Sequence, residues 1–144
     1  MASTVPRVLG DVIAFYVYLT TSEINPGRHH TIIYDHVVTN SGNGYNKYTG
    51  AFIAPRSGVY VFTWTTFADP ASSFAIELIV NNQRAGVIAA NGGSTWNGVT
   101  GVAVVHLNQY DAVLVRTDSN TAPHVNIFSD QNMKTSFSGW CISS

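Results

Sequence analysis

The chain has 144 residues, of which 45% are hydrophobic and only 10% are charged, and its formal net charge is −1. Its seven basic residues are scattered singly, without the basic stripe that binds phosphates, and no apolar run approaches the roughly 20 residues of a membrane span. We therefore expect no nucleic-acid partner and no membrane insertion, and the low charge suggests a surface partly hidden against another subunit.

Short alternating or β-branched runs separated by Gly, Pro and Asn predict an all-β protein. No window of helical length keeps an apolar period of 3.6 residues. The predicted strands are residues 12–19, 31–38, 50–54, 59–67, 74–80, 84–89, 98–107, 112–117 and 135–142. No repeat separates them, so we expect one domain over residues 1–144 with its core at 12–142.

Several predicted strands are apolar on both faces. Side chains alternate along a strand, so Tyr60, Phe62 and Trp64 share one face of the strand at 59–67. In the first strand the inward set leaves Tyr16 and Tyr18 on the opposite face. Large apolar patches are rarely left exposed on monomers, and a second subunit is the simplest cover.

Long and short connections alternate along the chain. The long ones cover residues 67–73, 89–98 and 118–132. The tight ones lie at residues 54–58, 81–83 and 108–111. Because successive antiparallel strands reverse direction, the three long loops should gather at one end, where binding sites commonly lie.

A spaced set of aromatic and small residues carries a family resemblance. Its members are Tyr34, Asn40, Tyr45, Phe52, Gly58, Tyr60, Phe62 and Trp64. This set resembles the signature of the complement C1q globular-head domain, with Tyr34 where Phe is usual and Trp64 where Phe or Tyr is usual. The blocks "VAVVHLNQYDAVLVRT" and "FSGWCI" also look like family blocks, and the resemblance extends over about residues 12–142.

The resemblance implies a ten-stranded jelly-roll β-sandwich like that of tumour necrosis factor. It also implies a secreted homotrimer with apolar subunit contacts, for which Tyr16, Tyr18 and the second face of residues 98–107 are the candidates. No Gly-X-Y repeat precedes residue 12, so we expect a stand-alone head without a collagen stalk, a form numerous in invertebrates.

Enzyme and metal signals are weak. The sequence has no nucleophile elbow, phosphate-binding loop or metal-ligand motif, so we expect no enzyme activity. His106 is expected in the core or a subunit interface, and Cys141, the only cysteine, in the core or in a disulfide to another chain. The loop carboxylates match no calcium loop. Some family members carry calcium, which stays open here.

The predicted ligand-binding residues lie in the long loops. They are Trp96, Asn97, His124, Asn126, Asp69, Asp118 and Asp130. An exposed aromatic face with Asn and Asp groups suits a sugar, whereas a buried Trp96 would remove the stacking platform.

The leading hypothesis is a soluble innate-immune lectin, a pattern-recognition protein that binds carbohydrate on microbial surfaces. The expected partners are microbial or self glycans, with mannose-type and lipopolysaccharide glycans as the candidate ligands. The alternatives are a secreted signalling ligand and a structural protein of extracellular fluid.

Overall fold

The computed structural model describes residues 12–143, so residues 1–11 and 144 of the expected domain lie outside the described part. Within it every regular element is a strand, and none forms a helix that could span a membrane. The strands are β1 (Ala14–Tyr18), β2 (Glu23–Ile24), β3 (His36–Ser41), β4 (Phe52–Ile53), β5 (Gly58–Ala68), β6 (Ser73–Val80), β7 (Gln83–Asn91), β8 (Asn97–Leu107), β9 (Ala112–Thr117), β10 (Asn126–Phe128) and β11 (Ser136–Ser143).

The strands form two antiparallel sheets. The first sheet has the order β2-β10-β5-β11-β1-β3, with β8 along the remaining edge of β5. The second sheet has the order β4-β9-β6-β7. The predicted all-β sandwich is therefore confirmed.

Two parts of the strand prediction differ from the structure. Residues 31–35 do not continue β3: Thr31 bridges Arg116 of β9 and the Ile32 amide donates to the Val115 carbonyl at 2.9 Å. The chain thus leaves the second sheet before it enters the first as β3. The short β2 and β10 were not predicted, because two or three residues carry no readable alternation, and together with the nine predicted strands they make the eleven described strands.

The core is an aromatic cluster between the sheets. The inward side chains of β5, Tyr60, Phe62 and Trp64, are all 1% exposed or less. Phe137 of β11 packs its ring centroid 6.1 Å from Phe62 and 4.8 Å from Phe15 of β1. Each such ring buries about 150–250 Å² of surface, so this cluster supplies much of the hydrophobic stabilisation.

The largest core side chain depends on a glycine. A Cβ on Gly101 of β8 would lie 2.4 Å from Cζ2 of Trp64, which occupies the opposite position on β5. The indole therefore covers the β8 backbone directly, which only a residue without a side chain allows.

We expect Gly101→Ala to lower the free energy of unfolding by about 1–3 kcal/mol, because the methyl group forces the buried indole or the β8 backbone to move. Thr100→Ala is the control, since its exposed hydroxyl bonds only to Thr65 Oγ1 at 2.8 Å. Denaturant unfolding at one fixed protein concentration measures both. Equal stability of Gly101→Ala and the wild type would contradict the tight contact.

Candidate functional site

The three long loops meet at one end of the sandwich, which we call the loop end. The Ala71 amide donates to the Gly93 carbonyl at 2.8 Å, and the Gly92 amide donates to the Ser72 carbonyl at 2.8 Å. The Asn126 amide donates to Ser72 Oγ at 2.9 Å. The predicted gathering of the loops is thus confirmed.

A fourth segment, which the sequence did not assign to this end, packs against the longest loop. The Asn25 amide donates to the Val125 carbonyl at 3.2 Å, and the His29 amide donates to the Asp118 carbonyl at 3.3 Å. Both donors have positive φ, 51° and 50°. Tight turns therefore bring residues 25–29 alongside the loop at residues 118–132. Such turns leave no periodic pattern in the sequence from which this contact could be predicted.

Ser72 joins two of the loops through its side chain. Its hydroxyl donates to Asp69 Oδ1 at 2.5 Å and accepts the Asn126 amide. Asp69 Oδ2 in turn accepts Asn126 Nδ2 at 3.1 Å. Because Ser72 is 2% exposed, this Ser72 bridge is shielded from water and fixes Asp69 and Asn126 side by side.

An aromatic platform lies beside the Ser72 bridge and consists of Phe67, Trp96 and Phe128. The Trp96 ring meets Phe128 edge to face at 5.8 Å and is still 47% exposed. Phe67 is the cross-strand partner of Phe128, and its ring covers Gly98, where a Cβ would lie 2.4 Å from Phe67 Cε1. Trp96 is therefore fixed by its contact with Phe128, and the exposed part of its ring is open to a ligand.

The other predicted polar residues differ in how much of each side chain is free. Asn97 Oδ1 accepts the Asn91 amide at 3.1 Å, which leaves its Nδ2 without a partner among the described residues. His124 is exposed at a loop position with φ of 70°. Asn97 retains a donor and His124 a ring available for contact.

Asp118 and Asp130 hold their own turns. Asp118, 9% exposed, accepts the Asn120 amide at 3.2 Å and Thr121 Oγ1 at 2.9 Å through Oδ1. Asp130 Oδ1 accepts the amides of Asn132 and Met133, both at 2.8 Å. Across residues 12–143 no three His, Cys, Asp or Glu side chains are placed together to hold a metal ion.

A second feature is the outer face of the first sheet, meaning the side chains of β1, β5, β8 and β11 that point away from the core. Trp140, Val61 and Val104 occupy adjacent positions across three strands, and Trp140 and Val104 are 40% and 62% exposed. Tyr16 and Val102 lie in the next row, as exposed apolar residues. No outward position on these strands carries Asp, Glu, Lys or Arg.

His106 and Cys141 lie on opposite sides of the same sheet. His106 faces outward at an exposed position opposite Val59 of β5, so the core alternative for it is wrong. Cys141 is half-buried and pairs with Tyr60 across β11 and β5. Burial, followed by the neighbouring Cys141, raises the pKa of Tyr60 above its ordinary value.

The fold and the sequence together define the class of protein. A sequence model of the C1q domain matches residues 14–142, and the chain belongs to that family. The resemblance carried by the aromatic signature is therefore confirmed.

Three curated relatives are similar in sequence. Complement C1q tumor necrosis factor-related protein 7 of Mus musculus is 34% identical over 129 residues, which are 88% of this chain and 40% of that protein. Heavy metal-binding protein HIP of Mytilus edulis is 32% identical over 104 residues, 72% of this chain and 49% of that protein. A complement C1q subcomponent of Homo sapiens is 31% identical over 98 residues, 65% of this chain and 38% of that protein. This chain thus spans less than half of each.

Solved structures support the jelly-roll fold. The globular domain of zebrafish complement 1qA superposes with a TM-score of 0.68 at 18% identity, covering 90% of this chain and 97% of that one. Murine APRIL superposes with a TM-score of 0.69 at 12% identity, covering 92% and 100%. Eiger TNF of S. frugiperda gives 0.65 at 12% identity, covering 91% and 92%. The C1q/TNF-like jelly roll expected from the sequence is therefore confirmed.

We expect Ser72→Ala to lower the free energy of unfolding by about 1–3 kcal/mol, because the Asn126 amide and Asp69 both lose a shielded partner. Hydrogen exchange of the Asn126 amide should become at least about tenfold faster, since local opening of the loop needs less energy. Ser73→Ala is the matched control, because Ser73 is the next residue in the chain and its side chain is exposed. Unchanged exchange at Asn126 would show that Ser72 does not fasten the loops.

Proposed function

We propose that this protein is a secreted, non-catalytic, homotrimeric lectin that binds carbohydrate on microbial surfaces through the loop end. The single observation that carries the proposal is Trp96, which is half exposed and packs edge to face against Phe128, two residues from Asn126 on β10. Secretion and one domain over residues 1–144 are parts of the proposal that rest on the family resemblance.

A sugar suits the loop end because a pyranose has two kinds of surface. Its C–H faces pack on an aromatic ring, whose π face is negative, while its hydroxyl groups need donors and acceptors at the ring edge. Trp96 offers the ring, Asn97 Nδ2, next to it in the chain, offers a donor, and the two Asp69 oxygens, each of which accepts one hydrogen bond, retain capacity as acceptors. His124, two residues before Asn126 in the chain, adds ring nitrogens that can donate or accept a hydrogen bond.

The outer face supports the trimer. Exposed Val102, Val104 and Trp140 lie on a face that carries no formally charged residue, and several large exposed apolar side chains on one face are unusual for a monomer in water. A threefold assembly centred on Val61, Val104 and Trp140 leaves the loop end free, because Phe67, on the same side of β5, lies six residues or about 20 Å further along the strand. Three weak sites on one particle could raise avidity by about 10² or more on a repetitive surface.

We expect the protein to sediment as a trimer of about 47 kDa, three chains of 15.6 kDa, at micromolar concentration. Val104→Glu should shift the mass towards that of one chain, because a carboxylate would be buried without a partner. Ile33→Glu is the control, because it adds the same charge at an exposed position that lies away from the outer face. Ile33 follows Ile32, whose amide bonds to β9 of the second sheet. A wild-type mass of one chain would refute the trimer.

We expect binding on an array of microbial polysaccharides, including mannose-type glycans and lipopolysaccharide. Trp96→Ala should weaken it about tenfold or more, since a lost aromatic contact costs about 1.5–3 kcal/mol and about 1.4 kcal/mol is a factor of ten. Tyr110→Ala is the matched control, because Tyr110 is 74% exposed in the turn after β8, at the opposite end of the sandwich.

A blank array from a folded trimer would contradict the lectin function and favour a protein partner, as for a signalling ligand, or a structural role. The array is run with calcium and with chelator, and a loss of binding in chelator would add calcium to the site. Hydrolysis of a bound glycan that Tyr110→Ala retains and His124→Ala abolishes would contradict the non-catalytic assignment.

A further inference from the structure

A groove of about 550 Å³ lies at one open edge of the sandwich, within the roughly 300–1,000 Å³ range of small-molecule sites. We call it the edge groove. It lies between β3, the edge strand of the first sheet, and the segment that leads into β4, the edge strand of the second. Its lining includes Val37, Asn40, Asn43, Asn46, Lys47 and Tyr48. None of these belongs to the loop end.

The walls of the edge groove are fixed by hydrogen bonds. Asn40 Nδ2 donates to the Tyr45 carbonyl at 2.9 Å, and Asn40 Oδ1 accepts the Tyr45 amide at 3.0 Å. The Tyr45 hydroxyl donates to the Tyr34 carbonyl at 2.8 Å, and burial raises the pKa of Tyr45, so the phenol keeps this proton. The groove therefore needs little ordering to receive a ligand, which lowers the entropic cost of binding.

The rim of the edge groove carries polar atoms that have no hydrogen-bond partner among the described residues. Asn46 Oδ1 accepts the Tyr48 amide at 2.8 Å, which leaves Asn46 Nδ2 available. The side chain of Asn43 makes no hydrogen bond within residues 12–143. Tyr48 is 79% exposed, and Lys47 Nζ lies 5.4 Å from the centre of its ring. An aromatic face, two amides and one cation therefore converge.

Lys47 supplies the only charge on this lining, and no carboxylate of the described residues pairs with it. The edge groove is therefore electrostatically unbalanced in favour of an anion. An ammonium group and a carboxylate form a charge-assisted hydrogen bond, whereas a neutral sugar would leave this contact unused.

We propose that the edge groove binds a pyranose that bears a carboxylate, of the uronic or sialic acid class. The sugar ring packs on Tyr48, the carboxylate pairs with Lys47, and the hydroxyl groups bond to Asn43 and Asn46. The inference extends the proposed carbohydrate-binding function to a second site, but it does not use Trp96.

The edge groove stays open in the proposed trimer. Val37 packs against the core, and Asn40 pairs with the inward residue Phe15, so both lie on the core side of β3. Thr39 pairs with outward-facing Tyr16 and lies on the other side. Burial of the outer face therefore leaves the groove accessible, and one particle would carry three such sites in addition to the three loop ends.

The test is NMR titration of the intact protein with methyl glucuronide, with methyl glucoside as the neutral match and N-acetylneuraminic acid as the sialic probe. The expected result is saturable shifts of the Asn43 and Tyr48 amides with one or both acidic probes, and at least tenfold weaker binding of the glucoside. Lys47→Gln should weaken the acidic probe at least tenfold and leave the glucoside unchanged. Tyr48→Ala should weaken the acidic probe at least tenfold as well.

The two sites are distinguishable in the same experiment. Trp96→Ala should leave acidic binding at the edge groove intact, and Tyr110→Ala should have no effect. Three results would each overturn the proposal that the edge groove binds an acidic sugar. They are equal affinity for glucuronide and glucoside, no binding of either acidic probe, and loss of acidic binding only in Trp96→Ala. Polysaccharide binding that depends on Trp96 would still support the loop-end function in those cases.

Discussion

The period of two along β5 is the constraint on which the rest of the structure depends. β5 is hydrogen-bonded along both edges, by β8 on one side and by β11 and β10 on the other, so its side chains can only point into the sandwich or away from it. Tyr60 and its inward neighbours fix which side is the core. A slip by one residue would place these rings in water and Val61 and Thr63 inside.

The same alternation distributes three roles over one sheet. The inward side chains make the core, the outward ones make an uncharged apolar face suited to subunit contact, and the C-terminal end of β5 carries Phe67 and Asp69 into the loop end. Because a cyclic trimer points equivalent ends in one direction, ligand sites at the loop end would act together without conflict with the subunit contacts. The proposed subunit contact around Val61 and the proposed ligand site at Phe67 would thus lie six residues, or about 20 Å, apart along β5.

The sequence predicts the strands with a regular alternation of apolar side chains, but it does not predict features that depend on residues far along the chain. The strand at 112–117 is observed as β9, with the same bounds, because its alternation is regular. The exposure of Trp96 could not be read, since it depends on a ring contact with Phe128, 32 positions further along the chain. The inward engagement of the Asp118 carboxylate depends on a turn with Thr121, and the edge groove on the Asn40 clamp, neither of which has a periodic signature.

Oxidative footprinting of the three tryptophans by mass spectrometry, with and without a saturating glycan, tests directly whether the outer face is buried between subunits while the loop end binds glycan. In the isolated chain Trp64 is buried, and Trp96 and Trp140 are similarly exposed, at 47% and 40%. Trp140 should be protected in the assembled protein at all times, and Trp96 should be oxidised until glycan protects it. Equal oxidation of Trp140 and Trp96, or oxidation of Trp96 that glycan does not change, would contradict this prediction.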